Sequence, residues 1–240
     1  MNTLVSSLMR NGEPGSSGRE AGGISAAQRV YEELRGKIIS LALPPDTVLS
    51  RNEIAREFGV SLTPVREALQ QLEAEGLVHI FPQSRTLVSR LAIHEIQEAQ
   101  LLRVAVETEV IRRLAVSCSQ ATLNRLRSVI AMQEAVANNP DEKASFQELD
   151  EIFHRTLMAG IGHENLHELL KSKSGHFARL RQLHLPDAGR IETILSDHRA
   201  ILSALEKGDP QEAELAMREH LSQTIKRVEE LRARHPQFFR

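Results

Sequence analysis

The sequence predicts a mainly α-helical protein in two parts: three helices closed by one β-hairpin, then an all-helical stretch of six helices. Three observations carry that expectation. Hydrophobic residues fill 41% of the 240 positions but aromatics only 3%, with one Tyr, seven Phe and no Trp, so the core is aliphatic, which suits helices. Apolar residues recur at helical spacing through most of the chain. Extended runs occur only at 77–81 (LVHIF) and 86–90 (TLVSR).

The first helix begins after an arm. Residues 11–23 (NGEPGSSGREAGG) hold five of the thirteen glycines and no periodicity, so residues 1–24 are expected to be a flexible arm. Ser25 and Gln28 have capping-box spacing ahead of Val30, Leu34, Ile38 and Leu41, which places a helix up to about Leu41. The LPPD turn at 43–46 stops it, and Ser50 with Glu53 repeats the cap before a short helix ending at Gly59. The third helix carries Val65, Ala68, Leu69 and Leu72 on one face and ends at Glu75–Gly76, and the hairpin follows at once. From Ile93 onward, breaks near 117–119, 138–140, 160–162, 186–187 and 208–210 delimit six helices. The last is marked by Asp209 as cap, Pro210 at the first helical position and Glu212 three residues after the cap. The chain thus divides into an arm (1–24), a helix–hairpin unit (25–90) and an all-helical unit (91–240).

Composition excludes several classes. Thirty Lys and Arg against 32 Asp and Glu give a charge of −2, so the chain is neither globally basic nor acid-tailed, and any nucleic-acid contact must be local. Scarce aromatics argue against a stacking platform for single strands. Cys118, the single cysteine, cannot close an internal disulfide, as a reducing cytoplasm would leave, and reads as a small buried residue near a helix end. No apolar run approaches the ~20 residues needed to span a bilayer, and no basic region precedes residues 1–9, so the expected location is cytoplasmic, away from membranes.

Residues 51–72 (RNEIAREFGVSLTPVREALQQL) meet the needs of a helix-turn-helix: a short helix, a turn at glycine, and a second helix that opens with short polar and basic side chains. Ile54, Ala55, Phe58, Val60, Val65 and Leu69 pack the two helices together, leaving Arg51, Asn52, Ser61, Thr63 and Arg66 outward as DNA-contact candidates. The hairpin makes a wing whose tip, Gln83, Ser84 and Arg85, can reach a neighbouring phosphate or groove. The alternative is a winged helix that binds protein through a solvated face. Charge does not decide between them, since residues 25–90 hold eight Lys or Arg and eight Asp or Glu.

The run LSRNEIAREFGVSLTPVREALQQLEAEGLV resembles the N-terminal winged helix of GntR-family transcription regulators, over about residues 27–90. The resemblance implies a homodimer on a short palindromic operator, with the second helix of the motif in the major groove and the wing in the minor groove. Its contacts fall on Arg51 or Asn52, on Ser61, Thr63 and Arg66, and on the wing tip. Two positions depart from the family pattern: Leu62 stands where an arginine is usual, and Gln83-Ser84-Arg85 where the wing has a glycine. The first removes a phosphate or guanine contact, for which Arg85 offers compensation.

In the helical unit, Asp150 and His154 lie one turn apart on the stripe Phe146, Leu149, Phe153 and Leu157. His198 falls in line with Ile191, Ile194, Leu195, Ile201, Leu202 and Leu205, and His220 with Ala213, Met217, Thr224, Val228 and Leu231. A buried carboxylate and three imidazoles are costly unless satisfied, and a divalent metal satisfies all four together. A single such histidine is more often a hydrogen-bonded core residue, and from the residues alone both readings stand. Asp with three His suits Zn, Ni, Mn or Fe, and the sequence does not choose among them. The other histidines read as surface or boundary residues, with His176 an outside candidate.

The segments DEIFHRTL (150–157), SDHRAILSALEKGD (196–209) and AMREHL (216–221) resemble the FadR branch of the GntR family, with its all-helical FCD ligand domain. That resemblance implies metal ligation by Asp150, His154, His198 and His220, and places an arginine at Arg103, followed by Glu107. Arg103, on the stripe Ile96, Ala99, Val106 and Val110, can grip a carboxylate in two-pronged fashion or pair internally with Glu107. Arg181, one turn beyond Phe177, is a second ligand-binding candidate.

The expected function is a ligand-responsive transcription regulator, a repressor, that senses a small organic acid through a metal-containing helical domain. A regulator with a purely structural metal and no carboxylate effector is the alternative. A metalloenzyme fits poorly: there is no HExxH motif, no glycine-rich phosphate loop and no nucleophile elbow, and Glu151 turns away from the stripe of Asp150 and His154.

Overall fold

The structure, a computed structural model, describes residues 24–82, 85–139, 142–184 and 188–240. Of the expected arm, all but Ile24 lies outside these residues, as do Gln83 and Ser84 of the wing tip and the chain breaks expected at Pro140 and at 186–187.

Helix α1 (Ala26–Ile39) starts where the Ser25 hydroxyl accepts the Gln28 amide at 3.0 Å. Helix α2 (Arg51–Phe58) starts on the Ser50 hydroxyl, and α3 spans Leu62–Ala74. Strand β1 (Val48–Leu49) joins β2 (Val78–Ile80) and β3 (Thr86–Val88) in an antiparallel sheet of order β1-β3-β2, with Val48 opposite Leu87 and Val78 opposite Val88. The hairpin is as the sequence predicts. The two-residue β1 is too short to show alternation and gains its place from pairing alone. Val30, Leu34, Ile38, Ile54, Val65, Leu69 and Leu72 form the core under these elements.

Eight helices follow among the described residues: α4 (Ile93–Val116), α5 (Gln120–Val136), α6 (Lys143–Gly160), α7 (Asn165–Lys173), α8 (Gly175–His184), α9 (Ala188–Lys207), α10 (Pro210–Ile225) and α11 (Val228–Arg234). Two of the six expected spans are thus divided. The fourth divides at Ser174, whose hydroxyl donates to the Leu170 carbonyl at 2.6 Å and whose backbone (φ −108°, ψ 18°) leaves the helix. Gly175 opens α8 in close approach to the N-terminal unit: a Cβ there would sit 2.7 Å from Leu77 Cδ2, so a larger residue would oblige that side chain to shift. The sixth divides at Arg227 (φ −106°, ψ 5°), and α11 then lays Val228 and Leu231 against Phe177 and Leu180 of α8.

The two units meet at α8. Arg179, fully buried, donates from Nη1 to the Ser89 carbonyl at 2.6 Å and from Nη2 to the Ser89 hydroxyl at 3.1 Å. That hydroxyl in turn donates to the Gly76 carbonyl. Gly76 itself holds a left-handed conformation (φ 70°) with His176 packed against it. His176 Nδ1 accepts from the Ala92 amide and from Arg179 Nη2, both at 3.1 Å, while Nε2 faces the Gly76 carbonyl at 3.0 Å and Glu95 Oε2 at 2.9 Å. Two donors on Nδ1 and two acceptors on Nε2 select the neutral Nε2–H tautomer. Burial, then the adjacent Arg179 charge, push the pKa of His176 down to about 3.

The unfolded chain therefore takes up a proton at His176 near pH 6.5 that the folded chain refuses until about pH 3. This junction's stability is complete above pH 6.5 and falls as the pH drops. Between pH 6.5 and 5 the expected loss is up to about 2 kcal/mol. Denaturation midpoints across this range should fall less steeply in His176→Gln than in the wild type.

Candidate metal centre and nucleic-acid interface

The buried stripe of α6 (Phe146, Phe153, Leu157) carries Asp150 and His154 inward with it, and α9 and α10 bring His198 and His220 to the same place. One ligand atom from each of the four residues lies within 4.8 Å of the others. All four side chains are buried, His198 completely.

Behind each imidazole stands an oxygen from a different helix. His154 Nδ1 lies 2.6 Å from Glu107 Oε2 of α4, His198 Nδ1 2.9 Å from Gln133 Oε1 of α5, and His220 Nδ1 3.4 Å from Asp197 Oδ2 of α9. The His198–Gln133 contact is a hydrogen bond, and those of His154 and His220 are close contacts with a carboxylate; a proton on each Nδ1 would leave the Nε2 lone pairs converging. His220 and His154 face each other Nε2 to Nε2 at 3.2 Å, and His198 Nε2 lies 3.5 Å from Asp150 Oδ1. The Phe153 ring stacks on His198 at 3.8 Å and fixes its plane.

The charges suit a cation. Burial alone would raise the Asp150 carboxyl, but Arg181 and the three imidazoles outweigh it and hold the group well below the usual carboxylate range. Glu107 is likewise held low, with Arg103 and His154 outweighing its burial. Burial, then His220, push His198 far below the ordinary imidazole value. His220 is lowered by burial, against the pull of Asp197. The result is an ionised carboxylate beside His198 and His220 held neutral, the protonation state a metal requires of those ligands. Among the described residues Asp150 Oδ1, His154 Nδ1, His198 Nε2 and His220 Nδ1 are buried without a hydrogen bond, so the donor set fits a divalent metal.

Arg181 bridges Asp150 Oδ2 and Glu151 Oε1, the latter at 3.2 Å. Arg103 Nε donates to Glu107 Oε1 at 2.8 Å, and its guanidinium lies 5.3 Å over the Phe177 ring. The internal Arg103–Glu107 pair and a ligand-facing position therefore coexist. Both arginines, with Glu107 and His154, line a cavity of about 290 Å³.

Glu151 does not reach the cluster, yet it lines this cavity and holds His167 Nε2 at 3.1 Å. His167 is thus no surface residue: it is 6% exposed because α7 turns His167 and Leu170 inward. His176 belongs to the unit junction and not to the cluster. Gln133, Asp197 and His167 carry no sequence signal as supports, whereas Glu107 is marked by its place one turn after Arg103.

On the other unit, Ser61, Thr63 and Arg66 are exposed along the first turns of α3, and the Ser61 hydroxyl makes no cap bond. Asn52 is exposed and Arg51 half-buried at the start of α2. Arg51, Asn52, Leu62, Arg66 and Arg85 line one groove of about 460 Å³. Its three arginines make no ion pair among the described residues, so a unit of balanced charge sets three free cations in one groove. Arg85 is braced over the Phe81 ring at 5.5 Å, and Leu62 is 45% exposed.

Residues 26–88 match the family described as bacterial regulatory proteins, gntR family, and residues 98–223 match the FCD domain. An HTH-type transcriptional regulator in an unstable DNA locus of Streptomyces ambofaciens is 37% identical over 210 residues, covering 88% of each chain. The HTH-type transcriptional repressor RspR of Escherichia coli K12 is 29% identical over 212 residues, covering 88% of this chain and 92% of that one. The gluconate operon transcriptional repressor of Bacillus licheniformis is 30% identical over 195 residues and 77% of each chain. The solved structure of E. coli McbR/YncC shares the fold at a TM-score of 0.73 and 17% identity, covering 87% of this chain and 99% of that chain.

The carboxylate behind His154 supplies a test. Glu107→Gln keeps the shape but weakens the hold on the ring, and should lower metal affinity about 10- to 100-fold in competition with a chromophoric chelator.

Proposed function

The chain belongs to the gntR family of bacterial regulatory proteins, a DNA-binding region followed by an FCD effector domain, and from that premise we propose a homodimeric repressor that senses a small organic acid at a metal-containing site. It is a transcription regulator and not an enzyme, as its relatives are. The observation that carries the metal is the convergence of one ligand atom from each of Asp150, His154, His198 and His220 within 4.8 Å, with Asp150 Oδ1 and His198 Nε2 among the buried atoms that have no hydrogen bond. Asp150, His154, His198 and His220 would hold Zn, Ni, Mn or Fe. When bound, such an ion supplies a Lewis-acidic position for a ligand oxygen.

The remaining chemistry belongs to the chain. Arg103 and Arg181 present guanidinium forks to the cavity for a carboxylate. An acid there competes with Asp150 and Glu151 for Arg181, which sits on α8, and the same helix grips Ser89 and Gly76 through Arg179 and His176. A shift of α8 therefore reaches the DNA-binding unit. On DNA, Arg51, Asn52, Ser61, Thr63, Arg66 and Arg85 would contact phosphates and base edges, and a dimer doubles them over two half-sites. Two relatives named as repressors support that sign of regulation. Access to DNA requires a cytoplasmic location, and no helix among the described residues is long and apolar enough to cross a membrane.

A second reading, a purely structural metal, is favoured by the complete burial of His198. Thermal unfolding separates the two. Chelation should lower the melting temperature in both cases, but small carboxylates should raise it again only for the metal-loaded sensor. Arg66→Ala should weaken binding to a DNA fragment selected by the protein about tenfold in gel shift, and lower the salt slope by about one.

A further inference from the structure

The cavity beside the cluster is not walled by the helical unit alone. Arg35 and Ile39 of α1, a helix of the DNA-binding unit, line it together with Lys171 and Ser174 at the end of α7. Arg35 Nε pairs with Glu75 Oε2 at 2.8 Å, and its Nη2 donates to the Lys171 carbonyl at 3.0 Å. Glu75 is the residue that closes α3, and it also takes the Tyr31 hydroxyl. One guanidinium thus touches the cavity, the end of the recognition helix and the end of α7.

The charges on the two sides of this cavity differ. Beside the cluster, Arg103 and Arg181 are already matched by Glu107, Asp150 and Glu151. On the other side, the Lys171 ammonium has no ion pair among the described residues, and Arg35 has one carboxylate partner and one carbonyl. Of the wall's carboxylates, Glu107 and Glu151 are paired, while Glu148 is exposed and free to turn into water.

Resting on the acid-sensing reading above, we propose that Arg35 is a ligand contact and that the effector is a diacid. One carboxylate lies with Arg103 and Arg181, and the other lies with Arg35 and Lys171. The second carboxylate draws Arg35 donors away from Glu75 and the Lys171 carbonyl, which loosens the end of α3 from α7. Ligand and recognition helix are then joined through a single side chain, without relay through the helical unit.

Calorimetry on the full-length, Zn-loaded protein tests this, with the unbranched dicarboxylates from malonate to adipate as probes and monocarboxylates of matching length beside them. At least one diacid should bind about tenfold tighter than its matched monoacid. Arg35→Ala should abolish that advantage and leave the monoacid unchanged, whereas Arg103→Ala should weaken both. Arg35→Lys, which keeps the charge and the fold but not the fork, should retain part of the advantage. If the Arg35 variants bind diacids as the wild type does, or the diacids hold no advantage, the role of Arg35 is overturned while acid sensing stands. If no acid binds protein that retains its zinc, acid sensing falls and this proposal with it.

Discussion

An ionised carboxylate held out of water is the constraint around which the helical unit is organised. Asp150 is 2% exposed, and an isolated charge in that position would cost many kcal/mol. The chain meets that cost with Arg181 and with three rings whose Nε2 atoms turn toward a common point. The rings in turn oblige α4, α5 and α9 to bring Glu107, Gln133 and Asp197 behind them. Six helices, α8 through Arg181 among them, are thereby tied together by polar geometry, and the hydrophobic core of Ile111, Leu126, Phe153, Ile201 and Met217 packs around the result.

The same logic of partly satisfied polar groups governs the junction. Arg179 is fully buried without an acid partner in contact; a carbonyl, a hydroxyl and an imidazole take its protons. Such a contact is directional and tolerates little displacement, unlike the apolar patch of Leu91, Phe177 and Val228 beside it. Helix α8 therefore has two directional attachments on one short segment: Arg181 to the cluster, and Arg179 with His176 to Gly76, Ser89 and Ala92 where the two units join.

Much of this is legible in the sequence. The caps at Ser25, Ser50 and Asp209 each take the amides their spacing predicts, and the three apolar stripes that carry Asp150 with His154, His198 and His220 turn those residues inward to one place. What is not legible depends on contacts between distant residues. Ser174 is a weak helix breaker, and the close approach of Gly175 to Leu77, nearly a hundred positions earlier, exists only once the two units meet. Gln133 and Asp197 sit among ordinary polar positions and become supports only when their helices meet. His167 follows a glycine-marked turn and so reads as a boundary residue, but α7 rolls it onto Glu151.

Because Arg35 and Ile39 complete the wall of the cavity, the pocket is a property of the whole chain and not of a module. A chimaera that joins this helical unit to another regulator's winged helix would keep every residue of the Asp150 cluster and still lose one side of its binding chamber. Ligand range and operator range in such a protein are not free to be exchanged separately, and a helical fragment prepared alone would present a chamber open to solvent on that side.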